Sequence, residues 1–245
     1  MKNNICTIGV VGYGRFGRLL VDILKKNPKL DVKVFSRHQK SRSGFTSLKK
    51  ALENDLIIVA VPIRVFEKVI KNCSKKLPKD AIIMDVCSVK KFPIEIMKKY
   101  VSRANTIIGS HPLFGPGTFL NLNPKFGELS IALDFVRGER LKYIAVKNLF
   151  SKFGFKIIET NAKTHDENIV RSQFTAHIIA HLAHELDVAP NHLDTKSSQI
   201  FNSFLDIIQT DKQLLKDMYV YNPYSKVWLQ NTKNAFQKIT KYLET

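Results

Sequence analysis

The chain has 245 residues, 44% of them hydrophobic, which allows one large domain or two modest ones around a real apolar core. Nothing approaches the ~18 unbroken apolar residues of a membrane span, and the first apolar run, 5–11, leads straight into glycines; a soluble, cytoplasmic protein is expected. The formal charge of +18 raises the question of nucleic acid. However, the pairs Lys25-Lys26, Lys49-Lys50, Lys75-Lys76, Lys90-Lys91 and Lys98-Lys99 fall at helix ends and turns rather than along one stripe, a distribution that draws in small anions instead. Cys6, Cys73 and Cys87 are odd in number and lack metal-site spacing. They read as buried thiols in a reducing compartment, and no residue set argues for a metal.

In chain order, short β-branched runs at 5–11, 32–35, 56–61, 81–86, 106–108, 129–133 and 155–158 alternate with helix-like stretches. Their near-continuous apolarity suits strands of a parallel sheet covered on both faces. Past residue 158 the strand signals stop, and 163–186, 196–209, 212–219 and 224–242 carry helical spacing of apolar residues. The expected fold is α/β: a Rossmann-type dinucleotide-binding domain over 1–160, then an all-helical domain over 161–245.

Gly12-Tyr13-Gly14-Arg15-Phe16-Gly17 follows the first strand and opens a helix over 15–26. In such a GxGxxG turn Gly12 allows the sharp bend, Gly14 lets backbone amides approach a pyrophosphate, and Gly17 lets helix and strand pack closely. A glycine-rich turn without a ligand is the alternative. Dinucleotide choice depends on the end of the second strand, where an acidic residue would accept the ribose hydroxyls. Ser36-Arg37-His38 stands there instead. A hydroxyl and a guanidinium suit a 2′-phosphate, with Arg42 as a further cation, so NADP is expected over NAD.

In a parallel sheet the carboxyl ends of the strands share one edge, where ligands bind. The third strand brings Val61-Pro62 to that edge, the fourth Ser88, the fifth His111. Pro112 is expected to stop the fifth strand from continuing and to leave His111 in a loop.

The segments GYGRFG, the Ser36-Arg37 strand end, DVCSVK at 85–90, SHPLFGP at 110–116 and RSQFTAH at 171–177 together resemble the prephenate/arogenate dehydrogenases of tyrosine biosynthesis, specifically those of plant type. DTK at 194–196 and MYVYN at 218–222 extend the resemblance in order along nearly the whole chain. It implies an NADP-dependent oxidative decarboxylation of arogenate or prephenate to tyrosine or 4-hydroxyphenylpyruvate. Hydride leaves the carbinol carbon, the hydroxyl proton needs an acceptor, and loss of carbon dioxide yields a phenol. A neutral imidazole, of reference pKa about 6.5, is a natural acceptor. His111 takes that role, and Ser88 orients the imidazole or bonds the same hydroxyl. The plainer reading of Ser88 is an N-cap of the next helix.

Gln173 and His177, four apart on one helix face, match family positions that line the substrate pocket. Arg171 reads as a surface cation. Many bacterial prephenate dehydrogenases hold the side-chain carboxylate with an arginine where this chain has Thr195-Lys196-Ser197-Ser198, so Lys196 supplies the cation as a point charge. Asp194 could pair with an ammonium, which favours arogenate. The resemblance implies that the helical region forms a homodimer interface. Its apolar face with Phe201, Phe204, Leu205 and Ile208 fits a partner or an intrachain core equally well. Two rival readings remain. A reductase of β-hydroxyacid dehydrogenase type would carry a catalytic lysine on the long helix, and 164–186 has none. A non-catalytic NADP-binding regulator would need no histidine at the fifth strand end.

Overall fold

The computed structural model describes residues 5–39, 44–208 and 211–245; Arg42 and Gln209 lie outside the described residues. Contacts divide the chain into two units, Met1–Ala162 and Lys163–Thr245.

The first unit is built on a seven-stranded sheet of order β2-β1-β3-β4-β5-β6-β7. The strands are β1 Thr7–Val11, β2 Asp31–Phe35, β3 Leu56–Val59, β4 Ile82–Asp85, β5 Thr106–Pro112, β6 Ser130–Arg137 and β7 Lys156–Glu159. β3 and β4 are four buried residues each, LIIV and IIMD, the unbroken apolarity of strands with no solvent face. Helices α1 (Arg15–Lys25), α2 (Leu48–Leu52), α3 (Ile63–Ser74) and α4 (Lys91–Tyr100) link the first five strands, which run parallel. Leu20, Val21, Ile23 and Leu24 of α1 join Ile8, Val10, Ile58 and Met84 in one core. Each such side chain removed fully from water contributes about 1.5–3 kcal/mol before the entropy of ordering is subtracted.

The all-parallel expectation fails at β6, which pairs antiparallel with β5. The connection explains the reversal. Its one α-helix, α5 (Pro116–Leu122), has seven residues and rises only about 10 Å. Carrying the chain back along a seven-residue strand takes about 23 Å, so the chain re-enters the sheet from the edge it left. The 13-residue α6 (Arg140–Lys152) then supplies a full crossover, and β7 runs parallel to β6.

The fifth strand is also longer than expected. Its pairing with β4 stops at Met84↔Ile108, but pairing with β6 continues to Pro112↔Ile131. Pro112 does not end the strand because its nitrogen has nothing to donate to. Main-chain nitrogens alternate sides along a strand. The N–H of Leu113 bonds Ser130 O on the β6 side at 2.9 Å, so the nitrogen of Pro112 faces the side where β4 has already finished. His111 therefore stands within the strand, paired with Ala132, and not in a loop.

The second unit is helical: α7 (Ala162–Ile169), a π-turn (Val170–Phe174), α8 (Thr175–Glu185), α9 (Lys196–Ile208), α10 (Lys212–Tyr221) and α11 (Ser225–Leu243). The single helix expected over 163–186 is thus interrupted by one wide turn. Thr175 Oγ1 donates to the Val170 carbonyl at 2.8 Å and accepts the Trp228 indole N–H at 2.7 Å, which satisfies the carbonyl that widening frees. Ile169, Val170, Phe174 and Met218 form the core of this unit. Phe201, Phe204, Leu205 and Ile208 stay half-buried on α9, which has no buried residue. Among the described residues, no helix is long and apolar enough to cross a membrane.

Candidate active site

The turn after β1 separates a glycine that the fold needs from one that it does not. Gly12 has φ +112°, and a Cβ there would lie 2.2 Å from the Ala60 carbonyl oxygen. That position belongs to glycine on backbone grounds alone. A Cβ on Gly14 would meet nothing within 4 Å. Its bareness serves open space, where a phosphate could approach the main chain. Gly14 is the N-cap of α1 and provides no side-chain acceptor for the first N–H groups of that helix, a ready anion site. Gly17 is buried under this turn. Tyr13 meets Phe45 edge-on at 4.9 Å and Arg18 at 5.5 Å, Arg15 is exposed, and Phe16 is half-buried.

Ser36 and Arg37 follow β2 directly. Ser36 is buried and its hydroxyl accepts the His38 N–H at 3.4 Å, while Arg37 is exposed. Val61 is half-buried and Pro62 caps α3.

Ser88 lies half-buried in the loop after β4. It is not a helix cap, because Lys90 occupies the N-cap of α4. Lys90 stands at a helix start, as expected, but is buried there: its side chain is 1% exposed and ion-paired with Asp85, which is 0% exposed. Asp85 Oδ2 also accepts the Cys87 N–H at 2.9 Å, and Asp85 Oδ1 accepts the Ser110 N–H at 3.1 Å. Lys90 Nζ further donates to the Ser110 carbonyl, and Ser110 Oγ donates to the Asp85 carbonyl. His111, 4% exposed, is the next residue. The motif by itself assigns no role to Asp85 or Lys90. The usable signal was a carboxylate closing an apolar strand five residues before a lysine flanked by valine.

Cys73 and Cys87 are buried, but Cys6 is exposed, at the sheet margin just before β1. Burial pushes the Cys73 thiol up to about 12.

In the second unit Gln173 sits in the π-turn and His177 on α8, the latter 4% exposed. Gln173 Oε1, His177 Nδ1 and both ring nitrogens of His181 are buried with no hydrogen-bond partner among the described residues. They fall four apart, a polar row with His181 as its third member. Burial, then the neighbouring His181, hold the His177 imidazole below its usual range against the opposing pull of Asp211. Burial likewise lowers His181, followed by Lys212 and His184, with Glu185 and Asp211 opposing. Arg171 is exposed, its guanidinium 5.9 Å from the Trp228 ring. Asp194 accepts the Asn191 N–H at 3.1 Å, Asn191 Nδ2 at 3.0 Å and Asn202 Nδ2 at 2.8 Å, pinning the turn before α9. Lys196 is exposed at the start of α9.

The five parallel strands and their glycine turn define a nucleotide-binding α/β domain. The family described as prephenate dehydrogenase, nucleotide-binding domain, matches residues 30–133. Arogenate dehydrogenase 1, chloroplastic, of Arabidopsis thaliana is 26% identical over 96% of this chain and 39% of its own length. Arogenate dehydrogenase 2, chloroplastic, of the same plant is 24% identical over 99% of this chain and 71% of its own. A probable arogenate/prephenate dehydrogenase of Methanocaldococcus jannaschii is 27% identical over 100% of this chain and 58% of its own. The chain thus spans about two fifths of the first of these relatives. Prephenate dehydrogenase from A. aeolicus, solved in complex with hydroxyphenyl propionate and NAD+, superposes with a TM-score of 0.74 at 19% identity, over 100% of this chain and 91% of that one. Synechocystis arogenate dehydrogenase gives 0.66 at 20% identity, over 97% and 92%. At that identity the structural likeness is one of fold. By sequence, the chain is similar to arogenate and prephenate dehydrogenases along nearly its whole length, and residues 30–133 match the prephenate dehydrogenase nucleotide-binding family.

Proposed function

We propose that this protein catalyses the NADP-dependent oxidative decarboxylation of arogenate, with prephenate as the second candidate substrate. The observation that carries the reading is the placing of His111: buried, on the extension of β5 beyond the carboxyl edge of the parallel strands, and next to Ser110, which is bonded to the loop that bears Ser88. The named relatives support it, as does the bare face of Gly14 at the start of α1, which fits a dinucleotide pyrophosphate.

The dinucleotide, when bound, supplies a hydride acceptor. The backbone of Gly12–Gly17 at the start of α1 holds its pyrophosphate, and Val61-Pro62 flank it. Ser36 and the exposed Arg37 bind a 2′-phosphate, and the sequence carries no acidic residue from 32 to 52. His111 takes the hydroxyl proton from the substrate as hydride departs, and Ser88 fixes the orientation of that hydroxyl or of the imidazole. With the carbonyl formed, the ring carboxylate leaves as carbon dioxide and the ring becomes aromatic.

Gln173 and His177, whose Oε1 and Nδ1 have no hydrogen-bond partner among the described residues, are the proposed substrate contacts, with Lys196 as the cation for the side-chain carboxylate. A carboxylate has about four acceptor positions, so Asp194, with three taken, keeps one for an ammonium; this favours arogenate. The half-buried apolar side chains of α9 suit a homodimer. The test is the absorbance of reduced dinucleotide formed from arogenate and from prephenate, each with NADP and with NAD. Turnover of neither substrate with either dinucleotide overturns the reading.

A further inference from the structure

We propose that Lys90 and Asp85 are positioning residues for His111, a reading that rests on His111 as the proton acceptor. The parallel ladder between β4 and β5 ends at Met84↔Ile108. Past Ile108 the ladder no longer fixes β5 from that side, yet the proton-accepting side chain must be held to a fraction of an ångström. The buried pair takes over where the ladder stops. Ser110 is gripped three times from the β4 side: its N–H by Asp85 Oδ1 at 3.1 Å, its carbonyl by Lys90 Nζ, and its hydroxyl by the Asp85 carbonyl. On the other side β6 holds the same stretch through the pairs Ser110↔Leu133 and His111↔Ala132. The strand that carries His111 is thereby fixed on both flanks.

The same two residues shape the neighbouring loop. Asp85 Oδ2 receives the Lys90 ammonium and the Cys87 N–H, closing residues 85–90 into a compact bend with Ser88 inside it. One carboxylate and one ammonium therefore couple the loop of Ser88 to the strand of His111. Stability alone gives no reason for a lysine at 1% exposure. A buried ion pair contributes little net stability compared with apolar side chains of similar volume. What it adds is direction: an ammonium that must reach both a carboxylate and the carbonyl before His111 admits one local arrangement. A displacement of about 1 Å of a reacting group costs on the order of 10²-fold in rate.

Four variants separate positioning from a merely structural role: Lys90→Met, the double variant Asp85→Asn/Lys90→Met, His111→Asn, and Lys90→Met combined with His111→Asn. The double variant keeps a neutral acceptor for the Ser110 N–H and leaves no stranded charge, so it carries the test where Lys90→Met alone unfolds. In the double variant, kcat with arogenate and NADP is expected to fall about tenfold or more while the dissociation constant of NADP stays within about twofold. Adding Lys90→Met to His111→Asn should lower the rate no further, since the network acts through that imidazole. A double variant with full kcat, or an undiminished effect of Lys90→Met in the His111→Asn background, overturns the proposal. The two readings fail distinguishably. Normal turnover by His111→Asn removes the proton-acceptor assignment itself; a slow His111→Asn beside a fully active double variant removes only the role of Lys90 and Asp85.

Discussion

The ring of Phe16, in the glycine turn, lies 6.1 Å from the ring of Phe114, three residues after His111. Phe114 in turn stacks on Phe155 at 5.4 Å and meets Phe119 at 5.7 Å. The dinucleotide turn and the segment after His111 thus share one aromatic cluster. Phe114→Ala should cost about 2–3 kcal/mol, below the roughly 3–5 of a fully buried phenylalanine because Phe114 is half-buried. The same change should weaken NADP binding as the first turn of α1 loses its support. Thermal unfolding and a fluorescence titration measure the two effects; a destabilised variant with unchanged NADP affinity would show that the cluster serves the fold only.

The glycines of the turn separate fold from ligand. Gly12→Ala meets the Ala60 carbonyl at 2.2 Å with φ +112°, so it should destabilise the protein by about 1–3 kcal/mol or more. Gly14→Ala meets no atom within 4 Å and should leave the melting temperature of the free protein nearly unchanged. It should nonetheless weaken NADP binding about tenfold or more, because the added methyl occupies the approach to the pyrophosphate. Equal NADP affinity in Gly14→Ala and wild type would place the phosphate elsewhere.

The proposed reading gives Arg37 the choice of dinucleotide. A charge-assisted hydrogen bond is worth about 1.5–3 kcal/mol, so Arg37→Asp should raise the KM for NADP by about 10–100-fold and improve the use of NAD. An unchanged NADP/NAD ratio would assign the 2′-phosphate to other groups.

His177 links stability to pH. Its folded-state pKa lies below the unfolded value, with burial as the first cause and His181 as the second. The unfolded chain therefore takes up a proton first as pH falls. The stabilising contribution is complete above the unfolded value of about 6.5 and is lost as the pH drops through the lower folded value. The melting temperature should fall between pH 7.5 and 5.5, and His177→Gln should flatten part of that slope, His181 retaining the rest. An unaltered slope would show that His177 does not titrate in this way.

Much of this architecture was legible in the residues. Runs such as LIIV at 56–59 and IIMD at 82–85 read as buried strands because no polar residue interrupts them before their ends. The direction of β6 was not legible, since alternation and apolarity are the same for a strand run either way; the short α5 decides it. Pro112 misled because its effect depends on which side its nitrogen faces, and only the early end of β4 settles that. The burial of Lys90 was hidden for a related reason. A lysine beside a second lysine shows no sign of it until the carboxylate five residues back is seen to fold onto it. The π-turn was hidden because it shifts the hydrogen-bond ladder by a single residue, and Thr175 and Trp228, which stabilise it, lie 53 apart.

The account depends most on the imidazole of His111, and the direct measurement is single-turnover formation of NADPH from arogenate by wild type and His111→Asn, with both shown to bind NADP equally. Loss of the proton acceptor should slow the chemical step by about 10²–10⁴-fold. A His111→Asn protein that reduces NADP at the wild-type rate would contradict the account.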